Sequence, residues 1–253
     1  MKIISYNIND STPWKIEKLL RMEADVWVVP EITCPEDARL PEEFEMKWYG
    51  KEYVHAGKKK WKGLGIIWKK GRGVIADWFN PDLMYGIPLI YNDEYLILGF
   101  WPTKKNDGSE KKSYPQIAQE IIHEYAPHFN EYKTLVIGDY NCCVNQPDMT
   151  KKYGGMLRVN EILESLGLFS LYHHTTGETF GQETSPTYYH RFNENDPFFL
   201  DYAYTNAPIW TFRLFPWDKE MSDHVGMEVK LQESFEDDLD YYDDYGGDFG
   251  DGE

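Results

Sequence analysis

Thr134 to Asn141 reads TLVIGDYN, an apolar run that stops abruptly at a carboxylate and an amide. Leu135, Val136 and Ile137 predict a buried strand, and Gly138 is expected to let the chain turn tightly after it. Asp139 and Asn141, one residue apart, then project the same way from the end of a rigid element and share one cleft. The same letters also suit a plain turn, because Gly, Asp and Asn are all turn formers. The stretch gains meaning from the residues that accompany it.

Taken in order, Lys2 to Tyr6 (KIISY) predicts a strand that delivers Asn7 to its end. Pro13 to Met22 carries Ile16, Leu19 and Leu20 at helical spacing, with Thr12 as N-cap and Pro13 at the first helical position. Asp25 to Pro30 (DVWVVP) is a second buried strand, and Glu31 follows it. Strand, helix and strand with polar residues at both strand ends suggest a βαβ unit with Asn7 and Glu31 meeting at a cleft.

Cys34 to Tyr53 is rich in Pro and Glu and reads as a loop. Lys58 to Lys62 (KKKWK) reads as a solvated loop that could also touch phosphates and a base, which makes Lys60 and Trp61 candidate substrate contacts, with Trp101 a third. Strands are expected at Gly63 to Trp68, Ile87 to Ile90 and Tyr95 to Trp101, a polar loop at Lys104 to Lys112 and a helix at Tyr114 to Phe129. Beyond the central motif come a helix from Met156 to Leu166 closed by Gly167 and a short strand at Leu168 to Leu171. His173, His174 and Thr175 follow in a polar loop. Adjacent histidines invite a metal, but neighbouring side chains rarely reach one ion. Pro186 to Phe192 and Phe198 to Tyr204 read as paired strands, the second with Asp201 embedded among apolar residues. A buried acid needs a partner, and His224 is the natural one. Ser222, Asp223 and His224 precede a last strand from Val225 to Leu231.

Composition sets outer limits. The chain has 253 residues, 42% of them hydrophobic, enough for a full core in one large domain. Its formal net charge of −17 argues at first against a polyanionic substrate. Most of that excess, however, lies after residue 232, where Asp and Glu are dense and neither Lys nor Arg occurs. Some of the remaining carboxylates would serve a cation, and a bridging divalent metal reverses the local sign of a site. Cys34, Cys142 and Cys143 give no even disulfide framework, which suggests a reducing compartment. With no signal-like N-terminus and no apolar stretch near the ~20 residues that span a bilayer, the expectation is a cytoplasmic protein.

The order of these elements is specific. SYN at the start, Pro30-Glu31, GDYN, the LDY around Asp201 and SDH before the last strand together resemble the endonuclease/exonuclease/phosphatase superfamily, over residues 1 to about 231. The PTYYHRF segment leading into FFLDY, with Phe100-Trp101, resembles a compact bacterial branch of it. The resemblance implies an α/β fold of four layers, two central mixed sheets packed face to face and flanked by helices (DNase I-like). It also implies a metal-dependent phosphodiester hydrolase. In that scheme Glu31 holds Mg2+ or Mn2+, Asp223 is a further carboxylate for the metal, Asp139 activates the attacking water, and Asn7 and Asn141 position the phosphate and the base. His224 donates to a phosphoryl oxygen, and Asp201 orients its ring.

One departure concerns the leaving group. DNA-cleaving members place a His or Tyr near the end of the strand before the central helix, where this chain has Gly99, Phe100, Trp101 and Pro102. Tyr114, His55 or His190 are the candidates to replace it. The preferred substrate is nucleic acid, DNA in particular, because the body lacks the long insertions expected of lipid-directed relatives. The alternatives are a small phosphorylated metabolite or a phosphorylated end, and a non-catalytic binding module on the same fold. Residues 1–232 are expected to form the domain. Residues 233–253 are expected to be a disordered acidic tail that either solubilises the chain, docks on a basic partner, or occupies the active-site groove through Tyr241, Tyr242, Tyr245 and Phe249.

Overall fold

The absence of polar alternation in VWVV, YLIL and LVI requires strands covered on both sides. The computed structural model, which describes residues 1–55, 57–83, 85–103, 112–145 and 154–232, meets that demand by stacking two sheets and covering both with helices. The strands are β1 Lys2–Ser5, β2 Val26–Ile32, β3 Phe44–His55, β4 Lys58–Lys69, β5 Gly73–Ile75, β6 Gly86–Tyr91, β7 Tyr95–Phe100, β8 Lys133–Asp139, β9 Phe169–Ser170, β10 Tyr188–Tyr189, β11 Pro197–Phe198, β12 Asp201–Thr205, β13 Ile209–Leu214 and β14 Met227–Leu231. The helices are α1 Pro13–Leu20, α2 Pro35–Ala38, α3 Tyr114–Tyr125, α4 Gly155–Ser165 and α5 Leu171–Thr176.

One six-stranded sheet runs β13-β14-β1-β2-β4-β3 and the other β5-β6-β7-β8-β12-β9. Both are mixed: β1 lies parallel to β2 and β7 parallel to β8, while the other pairs within the two sheets are antiparallel. Each buried strand divides its side chains between two cores. Ile3, Val26, Val28, Ile97, Leu135 and Ile137 meet between the sheets. Their neighbours Ile4, Trp27 and Val29 pack under α1, and Leu96, Leu98 and Val136 pack under α3 and α4. The result is the four-layer α/β sandwich expected, with β1, α1 and β2 forming the parallel unit.

Local signals worked where side chains and backbone agree. Gly167 adopts a left-handed φ of 82° and closes α4, its N–H donating to the Glu164 carbonyl at 2.9 Å. Thr12 occupies the cap position of α1 with Pro13 behind it, but its hydroxyl makes no capping bond.

Several expectations need correcting. Cys34 to Tyr53 is not a loop: it holds α2 and most of the twelve-residue edge strand β3. The KKKWK run is not a loop either, because it begins β4 and pairs with β3 from His55↔Lys58 to Lys51↔Lys62. Much of this ribbon is solvated, so its residues carry no apolar alternation for the eye to find. His173, His174 and Thr175 lie on α5, not in a loop. Pro186–Phe192 and Phe198–Tyr204 share only a two-residue ladder, Tyr188↔Phe198 and Tyr189↔Pro197, while β12 pairs with β8 and β9. Gly138 makes no turn. It lies inside β8, where a Cβ would stand 1.8 Å from the Phe100 carbonyl oxygen, so only glycine lets β7 and β8 approach there. The loop expected at Lys104 to Lys112 lies, except for Lys112, outside the described residues, as does the acidic tail. Among the described residues no helix is long and apolar enough to cross a membrane.

Candidate active site

The polar ends of both sheets meet at one place. Asn7 follows β1, Glu31 sits near the end of β2, and Asp223 with His224 precede β14, all from the first sheet. The second sheet supplies Asp139 at the end of β8, Asn141 just beyond it, and Asp201 at the start of β12, directly opposite Asp139 in the ladder.

Four of these side chains form one buried array. His224 Nδ1 lies 2.9 Å from Asp201 Oδ2, and its Nε2 lies 3.3 Å from Asn7 Nδ2 and 3.9 Å from Asp139 Oδ2. Asn7 Nδ2 donates to Asp139 Oδ2 at 3.0 Å. The orientation of that amide follows from its other end, where Oδ1 accepts the Asn9 N–H at 3.0 Å. Asn141 N–H donates to Asp139 Oδ1 at 2.8 Å, and its side-chain amide donates to the Pro102 carbonyl. Asn7, Asp139, Asp201 and His224 are each at most 5% exposed.

Two hydroxyls that sequence reasoning gave no role lock the array. Ser222 Oγ donates to the Asn7 carbonyl at 2.6 Å and accepts the His224 N–H at 3.0 Å. Thr187 Oγ1 accepts the N–H groups of both Leu200 and Asp201 at 2.9 Å, and its carbonyl accepts the Val225 N–H. SDH and SPT in the sequence carry no sign of these partners, since both depend on pairing across the fold.

Burial and charge set the protonation states. Burial pushes the Asp139 carboxyl up to about 7, with the Asp201 charge adding to it, while His224 and the N–H groups of Asn141 and Asn7 hold it back. For His224 burial acts downward, but Asp201 and Asp139 outweigh it and raise the imidazole to about 10. The array therefore raises both groups, the Asp139 carboxyl through burial and the His224 imidazole through the carboxylates around it.

A cleft of about 330 Å³ opens over this floor, lined by Glu31, Asn141, Tyr188, Asp223 and His224 and by Tyr114, His190, Phe198 and Leu200. Glu31 is turned into it by an irregularity: the β2–β4 ladder skips from Pro30↔Leu64 to Ile32↔Gly63, and Glu31 takes a left-handed φ of 65°. Burial raises the Asp223 carboxyl, and the Glu31 charge adds to the rise, so the two acids repel across shared space. Such a pair of hard oxygen donors suits a divalent cation. Asp139, Asp201 and His224 also present ligand atoms within 4.8 Å of one another. Asp201 is already hydrogen-bonded to His224 and Asp139 to Asn7, which suits a proton relay better than an ion.

The remaining candidates separate. Tyr114 and His190 line the cleft, His190 with its Nδ1 2.9 Å from Asp196. His55 closes the β3–β4 ladder opposite Lys58. Lys60 and Trp61 lie in a neighbouring groove with Asp10, Ser11 and Thr33, Lys60 paired to Asp10 and Trp61 edge-on to Trp48 at 6.0 Å. Trp101 is not a cleft residue: it is 5% exposed between the sheets, edge-on to Tyr85 at 5.0 Å, and its ring is unavailable for stacking. His173 is held by Ser170 at 2.8 Å and Glu183 at 3.2 Å and stacks on Phe180, a packed knot rather than a ligand site.

The sequence profile of the endonuclease/exonuclease/phosphatase family matches residues 4–224, which spans every strand end named above. The chain belongs to that family. Members of this hydrolytic family include nucleases and phosphatases. Among solved structures, the chain is similar to a 3′ phosphatase from Neisseria bound to a product DNA hairpin (17% identity, TM-score 0.64, covering 92% of this chain and 100% of that one). It is also similar to an AP endonuclease from Leishmania major (12%, TM-score 0.64, covering 92% and 87%). A third is an endonuclease/exonuclease/phosphatase family protein from Leptotrichia buccalis (16%, TM-score 0.60, covering 92% and 100%). A search of curated protein sequences gave no significant match.

Proposed function

We propose that this family member is a divalent-metal-dependent phosphodiester hydrolase that acts on DNA. The observation that carries the reading is the buried Asp139–Asn7–His224–Asp201 array, placed under a cleft whose wall bears Glu31 and Asp223. A structural array would have no reason to keep an imidazolium between two buried carboxylates at the floor of an open cleft, because burying charges is costly.

In this reading Asp139, titrating near neutrality, takes a proton from the attacking water. Asn7 holds Asp139 in position through its amide N–H. His224 donates from Nε2 to a phosphoryl oxygen as negative charge builds there, and Asp201 keeps the ring charged and oriented from Nδ1. Asn141, tied to Asp139 and Pro102, fixes the rim. Glu31 and Asp223 would hold Mg2+ or Mn2+. Bound there, the cation would neutralise charge on the phosphoryl and leaving oxygens. Tyr114, Tyr188 and His190, all lining the cleft, are side chains that would face the leaving group.

DNA is favoured because a second groove, lined by Asp10 and Thr33 close in sequence to the cleft residues Asn9 and Glu31, offers the exposed indole of Trp61 for a base to stack on. The likeness to proteins named as a DNA-bound 3′ phosphatase and an AP endonuclease supports the same choice, and the former supports a phosphorylated DNA end as a second reading. The test is hydrolysis by purified protein of single- and double-stranded DNA, abasic DNA, 3′-phosphorylated DNA, RNA, inositol phosphates and sphingomyelin, with Mg2+, Mn2+ or EDTA. Metal-dependent cleavage of DNA, lost in Asp139→Asn and His224→Ala, is the expected result. Turnover of inositol phosphates or sphingomyelin alone would overturn the choice of DNA.

A further inference from the structure

One of the candidate metal carboxylates, Glu31, already pairs with a cation of this chain. Lys62, on β4, sits one residue before Gly63, whose partner in β2 is Ile32, so it stands beside the point where the ladder skips Glu31. Its Nζ pairs with Glu31 Oε2. The lysines around it are engaged elsewhere: Lys59 pairs with Glu52, Lys60 with Asp10, and Lys15 donates to the carbonyls of Ile8, Asn9 and Asp10. Lys62 also stands over the Tyr53 ring at 5.9 Å, an electron-rich face that steadies an ammonium when it leaves a carboxylate. Glu31 lines the cleft, and with the lysine 29% and the glutamate 19% exposed at the side chain the pair is neither sealed nor free.

Building on the metal-dependent reading above, we propose that Lys62 is a positioning residue, a resident counter-ion that Glu31 releases to the substrate phosphate when a divalent cation takes its place. The chemistry leaves little choice. A carboxylate that binds a dication cannot keep an ammonium on the same oxygen without strong like-charge repulsion across a few ångströms. The lysine stem is long and rotatable, with three donors and a point charge that binds phosphate without a fixed geometry. When one metal binds, a dication therefore arrives on Glu31 and Asp223, and an ammonium already paired there is freed. Metal and anionic substrate then help each other bind, and the coupling is reciprocal.

The test uses the full-length chain and measures binding, not turnover. Mn2+ is titrated calorimetrically into wild type, Lys62→Gln, Lys62→Arg and Glu31→Gln. A short single-stranded DNA oligonucleotide is then titrated into each in an Asp139→Asn background, with and without Mn2+. Removing the competing ammonium should tighten Mn2+ binding in Lys62→Gln by about 1.5- to fivefold, the scale of one partly exposed ion pair. The same variant should lose most of the gain in DNA affinity that Mn2+ confers on the Asp139→Asn protein, while Lys62→Arg restores it. Unchanged or weaker Mn2+ binding in Lys62→Gln, with binding abolished in Glu31→Gln, would overturn the role of Lys62 and leave the metal reading standing. Mn2+ binding indifferent to Glu31→Gln would overturn both. Thermal midpoints of the two Lys62 variants within a few degrees of wild type show that the comparison is made on folded protein.

Discussion

Replacing Asp201 by Asn keeps the shape beside His224 Nδ1 and removes the charge. Coulomb's law at an effective dielectric of 20 gives roughly 6 kcal/mol for a full charge at the 2.9 Å contact and roughly 4 kcal/mol for Asp139 at 3.9 Å, so Asp201 supplies more than half of the attraction. Those attractions oppose burial and lift the imidazole from 6.5 to about 10. Without Asp201, burial is opposed mainly by Asp139, and His224 should titrate at or below 6.5, a fall of at least ~3 units. At pH 8 the ring would then be mostly neutral and a poor donor to a phosphoryl oxygen, costing roughly 10²- to 10⁴-fold in rate. The assay is the titration of 15N-labelled histidine by NMR, with His224→Ala identifying the resonance, alongside hydrolysis of whichever substrate the panel selects. Stability adds a second readout. The folded pKa of His224 lies above its unfolded value, so its stabilisation is complete below 6.5 and is lost as pH rises through about 10. Wild type should therefore lose thermal stability over that window more steeply than Asp201→Asn. A His224 in Asp201→Asn that still keeps its proton to about pH 10 would refute the reasoning.

Hydrolysis by wild type should follow a bell, rising as the array loses a proton near 7 and falling as it loses the next near 10, and Asp139→Asn should abolish activity across the range. Gly138→Ala places a methyl 1.8 Å from the Phe100 carbonyl oxygen and should cost about 3 kcal/mol or more, read as a lowered midpoint in urea unfolding. Thr187→Val leaves the buried N–H groups of Leu200 and Asp201 without their acceptor, roughly 1–3 kcal/mol for each, and should slow hydrolysis as well, whereas Thr187→Ser restores both.

What the sequence displayed best were the strands buried on both faces. β2, β7 and β8 have few polar residues to interrupt them, and the polar residues they deliver, Glu31, Asp139 and Asn141, stand at their ends because nothing buried could hold them elsewhere. The constellation of Asn7, Asp139, Asp201 and His224 was legible because its motifs, in their order, resemble those of a known family, and because Asp201 is a buried acid in want of a partner. The β3–β4 ribbon was not: residues such as Lys59 and Glu52 face water and each other, and solvated pairs leave no pattern distinct from a loop. Trp101 shows the converse failure. An aromatic beside a strand end looks like a stacking surface, and only the packing of one sheet on the other shows that it fills the space between them. Thr187, Ser222 and Lys62 escaped because each acts through a partner far away in sequence, on another strand or across a register skip.

The two sheets are not successive halves of the chain. Residues 73–205 hold every strand of the second, while the first is made of the flanking segments, with β14 inserted between β13 and β1. The hydrolytic array is shared across that division, Asp139 and Asp201 on one side and Asn7 and His224 on the other. On the proposed function neither sheet alone would hold a working centre, and a chain still being synthesised would lack one until β14 slots in. On that reading the fold would be its own safety catch: a misassembled molecule would be silent rather than indiscriminate, and separately expressed pieces would report, by regaining activity, that they had found each other.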